Sequence, residues 1–160
     1  MLLVARLRGL RVLMSALIAK QARCSSMRFW VSPFDVDLNV HLTNSRYYQL
    51  MDVGRMDLLL RSGLGRELWR ASLAPMVVEQ HLSFEKELPL GATVELNTRC
   101  VGKRRKAMVF EQVFYRVRND QRQEAARAEV VVLFVGGDGV VDPSPWEGQL
   151  WPSLSSEKKA

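Results

Sequence analysis

The sequence predicts a small α+β domain, a curved antiparallel sheet of about five strands wrapped around one long central helix. Three observations carry this. The segment from about Asn44 or Ser45 to Ser62 has apolar residues at helical spacing and no proline. Four later segments alternate apolar and polar residues with the period of two that marks a strand. Short turn signals separate those segments, as expected of an antiparallel meander. A helix apolar on most sides belongs in a core, and a sheet curling around it would bury all the apolar faces at once.

The elements follow in order. Residues 27–32 read as a short strand, given β character by Trp30 and Val31 and ended by Pro33. The helix carries Tyr47, Leu50, Met51, Gly54 and Leu58 on one stripe, and Gly63 is placed as its stop. Gly54 costs about 1 kcal/mol in helix propensity against alanine, so a close approach of another backbone is expected there. Strands are expected at about 76–84, 94–100, 108–114 and 126–135. The turn signals are Pro89-Leu90-Gly91, Gly102-Lys103 and Asn119-Asp120. Residues 143–160, with three prolines and a Ser/Lys tail, read as peripheral or disordered. The domain itself is assigned to residues 26–142.

The chain has 160 residues, which fits one domain, and its net charge of +6 is unevenly spread. Six cations precede the first acid, Asp35: Arg6, Arg8, Arg11, Lys20, Arg23 and Arg28. Of 23 basic residues that leaves 17, which balance the 17 acids of the body. A neutral body lacks the basic face that a nucleic-acid reader needs. Residues 1–25 form a basic, acid-free amphipathic arm whose apolar run is too short to span a bilayer. Three readings stand for it: a peripheral helix on an anionic membrane, a mitochondrial targeting segment, or a helix or loose arm beside the domain. The compartment stays correspondingly open, cytoplasmic with peripheral membrane association or mitochondrial. Cys24 and Cys100 make no disulfide framework, and with only His41 and His81 there is no zinc spacing.

The densest chemistry lies between Asp35 and Tyr47, where two carboxylates, a histidine and several amides and hydroxyls run into a helix start. Free N–H groups at such a start can polarise a carbonyl or hold an anion. The pattern Asp35-x-Asp37-x-x-x-His41-x-Thr43-Asn44-x-x-Tyr47, followed by Met51-Asp52-x-Gly54-Arg55, resembles the hot-dog fold acyl-CoA thioesterases. The likeness is to the branch of bacterial 4-hydroxybenzoyl-CoA thioesterase-like proteins and the animal thioesterase-superfamily-member-6 type. It covers about residues 27–135. Motifs of this kind read Asp-x-Asp-x-x-x-His-x-Asn-Asn, so Thr43 stands where asparagine is usual and lacks its amide donors.

The resemblance implies the hot-dog fold, homodimers or homotetramers with active sites at the dimer interface, and acyl-CoA hydrolysis without a metal or a cofactor beyond the coenzyme A of the substrate. It implies that Asp37 acts as nucleophile or as general base on water. Helix N-terminal amides around residues 43–47 would polarise the carbonyl. His41 is expected to orient Asp37 or bond the substrate, and Asn44 to cap the helix or touch substrate. Asp35 is expected to fix the loop through backbone bonds, or to raise the Asp37 pKa by repulsion. Thr43 and Tyr47 are candidate substrate contacts, and Asp52 and Arg55 a helix ion pair. Lys103, Arg104 and Arg105 lie in an expected hairpin turn and are candidates for the coenzyme A phosphates. The rival readings are a non-catalytic acyl-binding or membrane-associated hot-dog scaffold and, less favoured by the spacing, a hot-dog enoyl-CoA hydratase.

Overall fold

The structure, a computed structural model, describes residues 22–151. The arm through residue 21 and the tail from residue 152 lie outside the described residues, and with them the readings given for most of the arm. Among the described residues six strands form one antiparallel sheet: β1 Cys24–Trp30, β2 Ala74–Phe84, β3 Thr93–Arg104, β4 Ala107–Arg118, β5 Gln121–Gly136 and β6 Gly139–Val141. The order is β1-β3-β4-β5-β2, and β6 folds back onto the end of β5. The helices α1 Asn44–Arg61 and α2 Leu64–Arg70 lie between β1 and β2, and a 3-10 turn, Ser144–Trp146, follows β6.

Helix α1 is the central element the sequence predicts. Tyr47, Leu50, Met51, Leu58 and Leu59 are buried beneath it, with Leu96, Phe110 and Phe114 of the sheet in the same core. It packs chiefly on β1 and β3. Gly63 ends the run at a φ of 85°, which a residue without Cβ adopts at no steric cost. The Asn119-Asp120 turn is also present, with both residues at positive φ, the handedness that suits a two-residue hairpin.

Several expectations need correction. Helix α2 has no counterpart in the sequence reading; it is only seven residues long, and it buries Leu64 and Leu68 four apart. Gly102 lies inside β3, beside a register shift after Cys100, and the turn falls instead at Arg105-Lys106. At Gly54 the nearest neighbours are side chains of the sheet, where a backbone was expected. A Cβ there would meet Thr98 Oγ1 at 2.6 Å, Leu96 Cδ2 at 3.0 Å and Gln112 Nε2 at 3.1 Å, all side-chain atoms. The segment from residue 143 to 151 is not peripheral either. Trp146, Leu150 and Trp151 are buried, and Trp146 meets Phe134 edge-to-face with ring centroids 5.0 Å apart.

Candidate active site

The motif loop is built by its own polar side chains. Asp35 is buried and turned inward: Oδ2 accepts the Ser32 amide at 2.9 Å and the Ser32 hydroxyl at 2.6 Å, while Oδ1 lies 2.5 Å from Arg46 Nε. Burial opposes its charge, but the Ser32 hydroxyl and amide and the Arg46 guanidinium outweigh that and hold the carboxyl below its ordinary value. The Thr43 amide donates to the Asp35 carbonyl at 2.9 Å, which ties the loop's start to the foot of α1. Asp35 is therefore a loop-fixing residue.

Residues 36–42 make a miniature hairpin on that base. Val36 bridges Leu42, the Asp37 amide donates to the His41 carbonyl at 3.0 Å, and Val40 turns the chain at a φ of 63°. Asp37 Oδ1 accepts the Asn39 amide at 2.8 Å, and the residue is exposed. The hairpin is then stitched to the segment after β2. The Leu42 amide donates to the Leu88 carbonyl at 2.8 Å, and the Leu90 amide to the Val40 carbonyl at 3.0 Å.

Asp37, His41 and Asn44 thereby open onto one cavity of about 310 Å³. Tyr47 and Phe84 form part of its wall. Tyr47 is buried between Phe84 and Phe114, with ring centroids at 5.1 Å and 4.9 Å. Burial and the nearby Glu87 carboxylate push its hydroxyl up to about 12, so it stays protonated at neutral pH. His41 Nε2 lies 3.2 Å from Glu87 Oε2, so its recorded partner is Glu87 and not Asp37.

Thr43 occupies the N-cap position with extended backbone, yet its side chain makes no capping bond; Oγ1 lies 3.0 Å from Ser45 Oγ. Asn44 is the first helical residue. The Arg46 and Tyr47 amides donate back to the Thr43 carbonyl, whereas those of Asn44 and Ser45 have no acceptor among the described residues. They are free donors at the positive end of an 18-residue helix.

The cationic run is not brought to this cavity within one chain. Lys103 pairs with Asp142 at 3.3 Å, and Arg104 with Glu79 at 3.1 Å and Glu129 at 2.8 Å. Arg105 sits on the turn at a φ of 54°. Ala107 begins β4, and Phe114, which packs on Tyr47, lies seven residues further along, about 23 Å of extended strand. The cavity has instead Glu85, Lys86 and Glu87 at its rim, which the sequence reading passed over. Their only sequence signal is a charged triplet between a strand end and Pro89. A larger hollow of about 400 Å³ lies on the sheet face away from α1, among ion pairs such as Arg127–Glu111, remote from the motif. Among the described residues no cluster of metal-ligating side chains occurs, and no helix is long and apolar enough to cross a membrane.

This architecture is similar to that of solved hot-dog proteins. 4-Hydroxybenzoyl-CoA thioesterase from Pseudomonas sp. strain CBS-3 superposes with a TM-score of 0.69 at 17% identity, over 80% of this chain and 99% of that one. The probable thioesterase YbaW of Escherichia coli gives a TM-score of 0.69 at 16% identity, over 76% and 91%. In sequence, Protein THEM6 of Xenopus laevis is 30% identical over 90 residues, 56% of this chain and 44% of that protein. The match thus spans less than half the length of that curated relative. The family description matched by residues 31–150 takes in the motif loop, α1 and the whole meander, and by that match the chain belongs to the thioesterase-like superfamily.

Proposed function

We propose that the chain hydrolyses acyl-CoA thioesters, with Asp37 as nucleophile or general base. As nucleophile, a carboxylate oxygen of Asp37 bonds to the thioester carbon. Coenzyme A leaves as its thiolate, and water then cleaves the resulting anhydride. As base, Asp37 takes a proton from the water that attacks the same carbon, and the carbon–sulfur bond breaks to release the coenzyme A thiolate and the free acid. In either course negative charge develops on the carbonyl oxygen, and the Asn44 and Ser45 amides are the donors that would meet it. His41 and the Asn44 side chain would touch the substrate, with Tyr47 and Phe84 against the acyl group. The reaction so written needs no cofactor besides the coenzyme A of the substrate.

The observation that supports this reading most is that the exposed Asp37 carboxylate and Asn44, at the unpaired start of α1, share one cavity. Lys86 at its rim is a cation for the coenzyme A phosphates from the same chain. Arg105 and Lys106 would serve the phosphates only from a neighbouring copy, in the homodimer or homotetramer proposed here. The test offers a panel of acyl-CoAs to the purified protein and to Asp37→Ala, reading free thiol. Release by the wild type that the substitution abolishes is expected. Release that survives it removes Asp37 from the mechanism, and no release at any chain length favours an acyl-binding scaffold.

A further inference from the structure

The nucleophile course leaves Asp37 without a basic oxygen once it is acylated, because the carboxylate that attacks is then tied up in the anhydride. A second group must activate the water that follows. The cavity narrows the choice. Tyr47 keeps its proton at neutral pH, its hydroxyl pushed up to about 12 by burial and by the Glu87 carboxylate. Asn39, Asn44 and Lys86 carry amide and ammonium groups, which offer no base. His41, Glu85 and Glu87 are left among the lining side chains. Glu85 is tied through its amide to the Ala125 carbonyl at 2.8 Å and pairs with no motif residue.

His41 is the one that the backbone places opposite Asp37. Val36 bridges Leu42, and the Asp37 amide donates to the His41 carbonyl at 3.0 Å, so Asp37 and His41 are an opposed pair in the miniature hairpin. Side chains of such a pair leave on the same face, with Cβ atoms about 4.5–5.5 Å apart. On its other side His41 bridges Pro89, and the Leu42 amide donates to the Leu88 carbonyl at 2.8 Å. The chain that carries Glu87 is thereby held against the chain that carries His41. Glu87 Oε2 lies 3.2 Å from His41 Nε2. A carboxylate accepts there only if Nε2 bears hydrogen. The lone pair of a neutral ring is then on Nδ1, which has no partner among the described residues. The Glu87 side chain is 75% exposed, so the pair adds little to stability. Its effect is on which ring nitrogen is basic.

We propose that hydrolysis runs through an acyl-Asp37 anhydride, and that His41, positioned by Glu87, is the base that clears it. This rests on the thioesterase reading and commits it to the nucleophile course. In the second step His41 Nδ1 takes a proton from water while the water oxygen bonds to the acyl carbon. The bond from that carbon to the Asp37 oxygen breaks, its electron pair returns to the carboxylate, and the free acid departs. The imidazolium, with Glu87 beside it, passes the proton to the coenzyme A thiolate or to solvent. His41 is a catalytic residue on this account, since it touches the attacking water, and Glu87 is a positioning residue.

Rapid mixing of the full chain with excess acyl-CoA, followed by thiol release, reads the two steps separately. His41→Gln should release about one thiol per active site in a fast phase. Its steady-state rate should then lie about a hundredfold or more below wild type, the worth of a positioned base. Glu87→Ala should show the same fast phase with a steady state lowered about tenfold, the worth of a hydrogen bond to a charged partner. Glu87→Gln keeps an acceptor oxygen and should recover most of that loss. Intact mass of His41→Gln, quenched after the fast phase, should be higher by one acyl group. A steady-state loss with neither fast phase nor added mass overturns the proposal, as does a wild-type steady state in His41→Gln. Should that variant fail to fold, the exposed Glu87→Ala decides on the same readouts. Turnover by the wild type, with both signatures absent from the variants, removes only the role given to His41. No thiol release by the wild type from any acyl-CoA removes the thioesterase reading and this proposal together.

Discussion

Replacing Asp35 by alanine should destabilise the protein by about 3 kcal/mol, because the carboxylate is the fastening of the motif loop. Its Oδ2 accepts two bonds from Ser32, and bonds to a charged acceptor are worth about 1.5–3 kcal/mol each. Its Oδ1 faces Arg46, and breaking a fully buried ion pair costs about 3–5 kcal/mol. Arg46 is 24% exposed and water can take over part of its solvation, which places the sum near the lower end of that range. Asp35→Asn keeps an acceptor oxygen for Ser32 and loses only the charge opposite Arg46, so it should cost about 1–2 kcal/mol. Urea unfolding followed by tryptophan fluorescence, with linear extrapolation, measures both. The acid limb gives a second signature. The Asp35 carboxyl titrates below its ordinary value of 3.8 in the folded chain. Its contribution is therefore complete above that value and is lost as pH falls through the lower, folded one. Asp35→Asn should lack that part of the acid destabilisation. An alanine variant within about 1 kcal/mol of wild type would refute the fastening role, since no buried charged bond is that cheap to remove.

Gly54→Ala sets helix propensity, a gain of about 1 kcal/mol, against overpacking of about 1–3 kcal/mol. With Thr98 Oγ1 2.6 Å from the new Cβ, a net loss is expected, and a more stable variant in the same urea assay would contradict the close packing. Trp146→Ala should cost about 3–5 kcal/mol, as for a large core aromatic. A loss of only a few tenths would return residues 143–151 to the periphery. Thr43→Ala should cost well under the roughly 1 kcal/mol of an ordinary cap, because the hydroxyl bonds Ser45 and not the helix amides.

What the sequence reveals and what it hides divide along local and non-local lines. Helix α1 is legible because Tyr47, Leu50, Met51 and Leu58 recur at its period, and its end because Gly63 follows at once. Asp37, His41 and Asn44 are legible as a group because eight consecutive residues hold them all. The other wall of the cavity, from Phe84 to Leu88, is set by pairings such as Phe84 with Ala126 and Leu42 with Leu88, more than 40 residues apart. No single window contains them. Helix α2 is about two turns long, too short for a period to emerge. Trp146, Leu150 and Trp151 are interspersed with prolines and Gly148, so loop signals mask buried aromatics. Gly102 shows a third failure: glycine marks a bulge as readily as a turn.

The charge run 103–106 is instructive in the opposite sense. Proximity in sequence made it one patch, but Lys103 and Arg104 are spent on Asp142, Glu79 and Glu129, which leaves Arg105 and Lys106 at the tip. Lys86, a lone cation in sequence between two glutamates, lines the same cavity as Asp37.

The most direct test of the proposed chemistry is kcat/KM for the best acyl-CoA of the panel, compared between wild type and Asp37→Asn. Asparagine preserves the size of the side chain and its acceptor for the Asn39 amide, so the loop should hold while nucleophile and base are removed. A fall of at least about a hundredfold is predicted, the smallest worth of a positioned general base. Equal rates in the two proteins would contradict the assignment of Asp37.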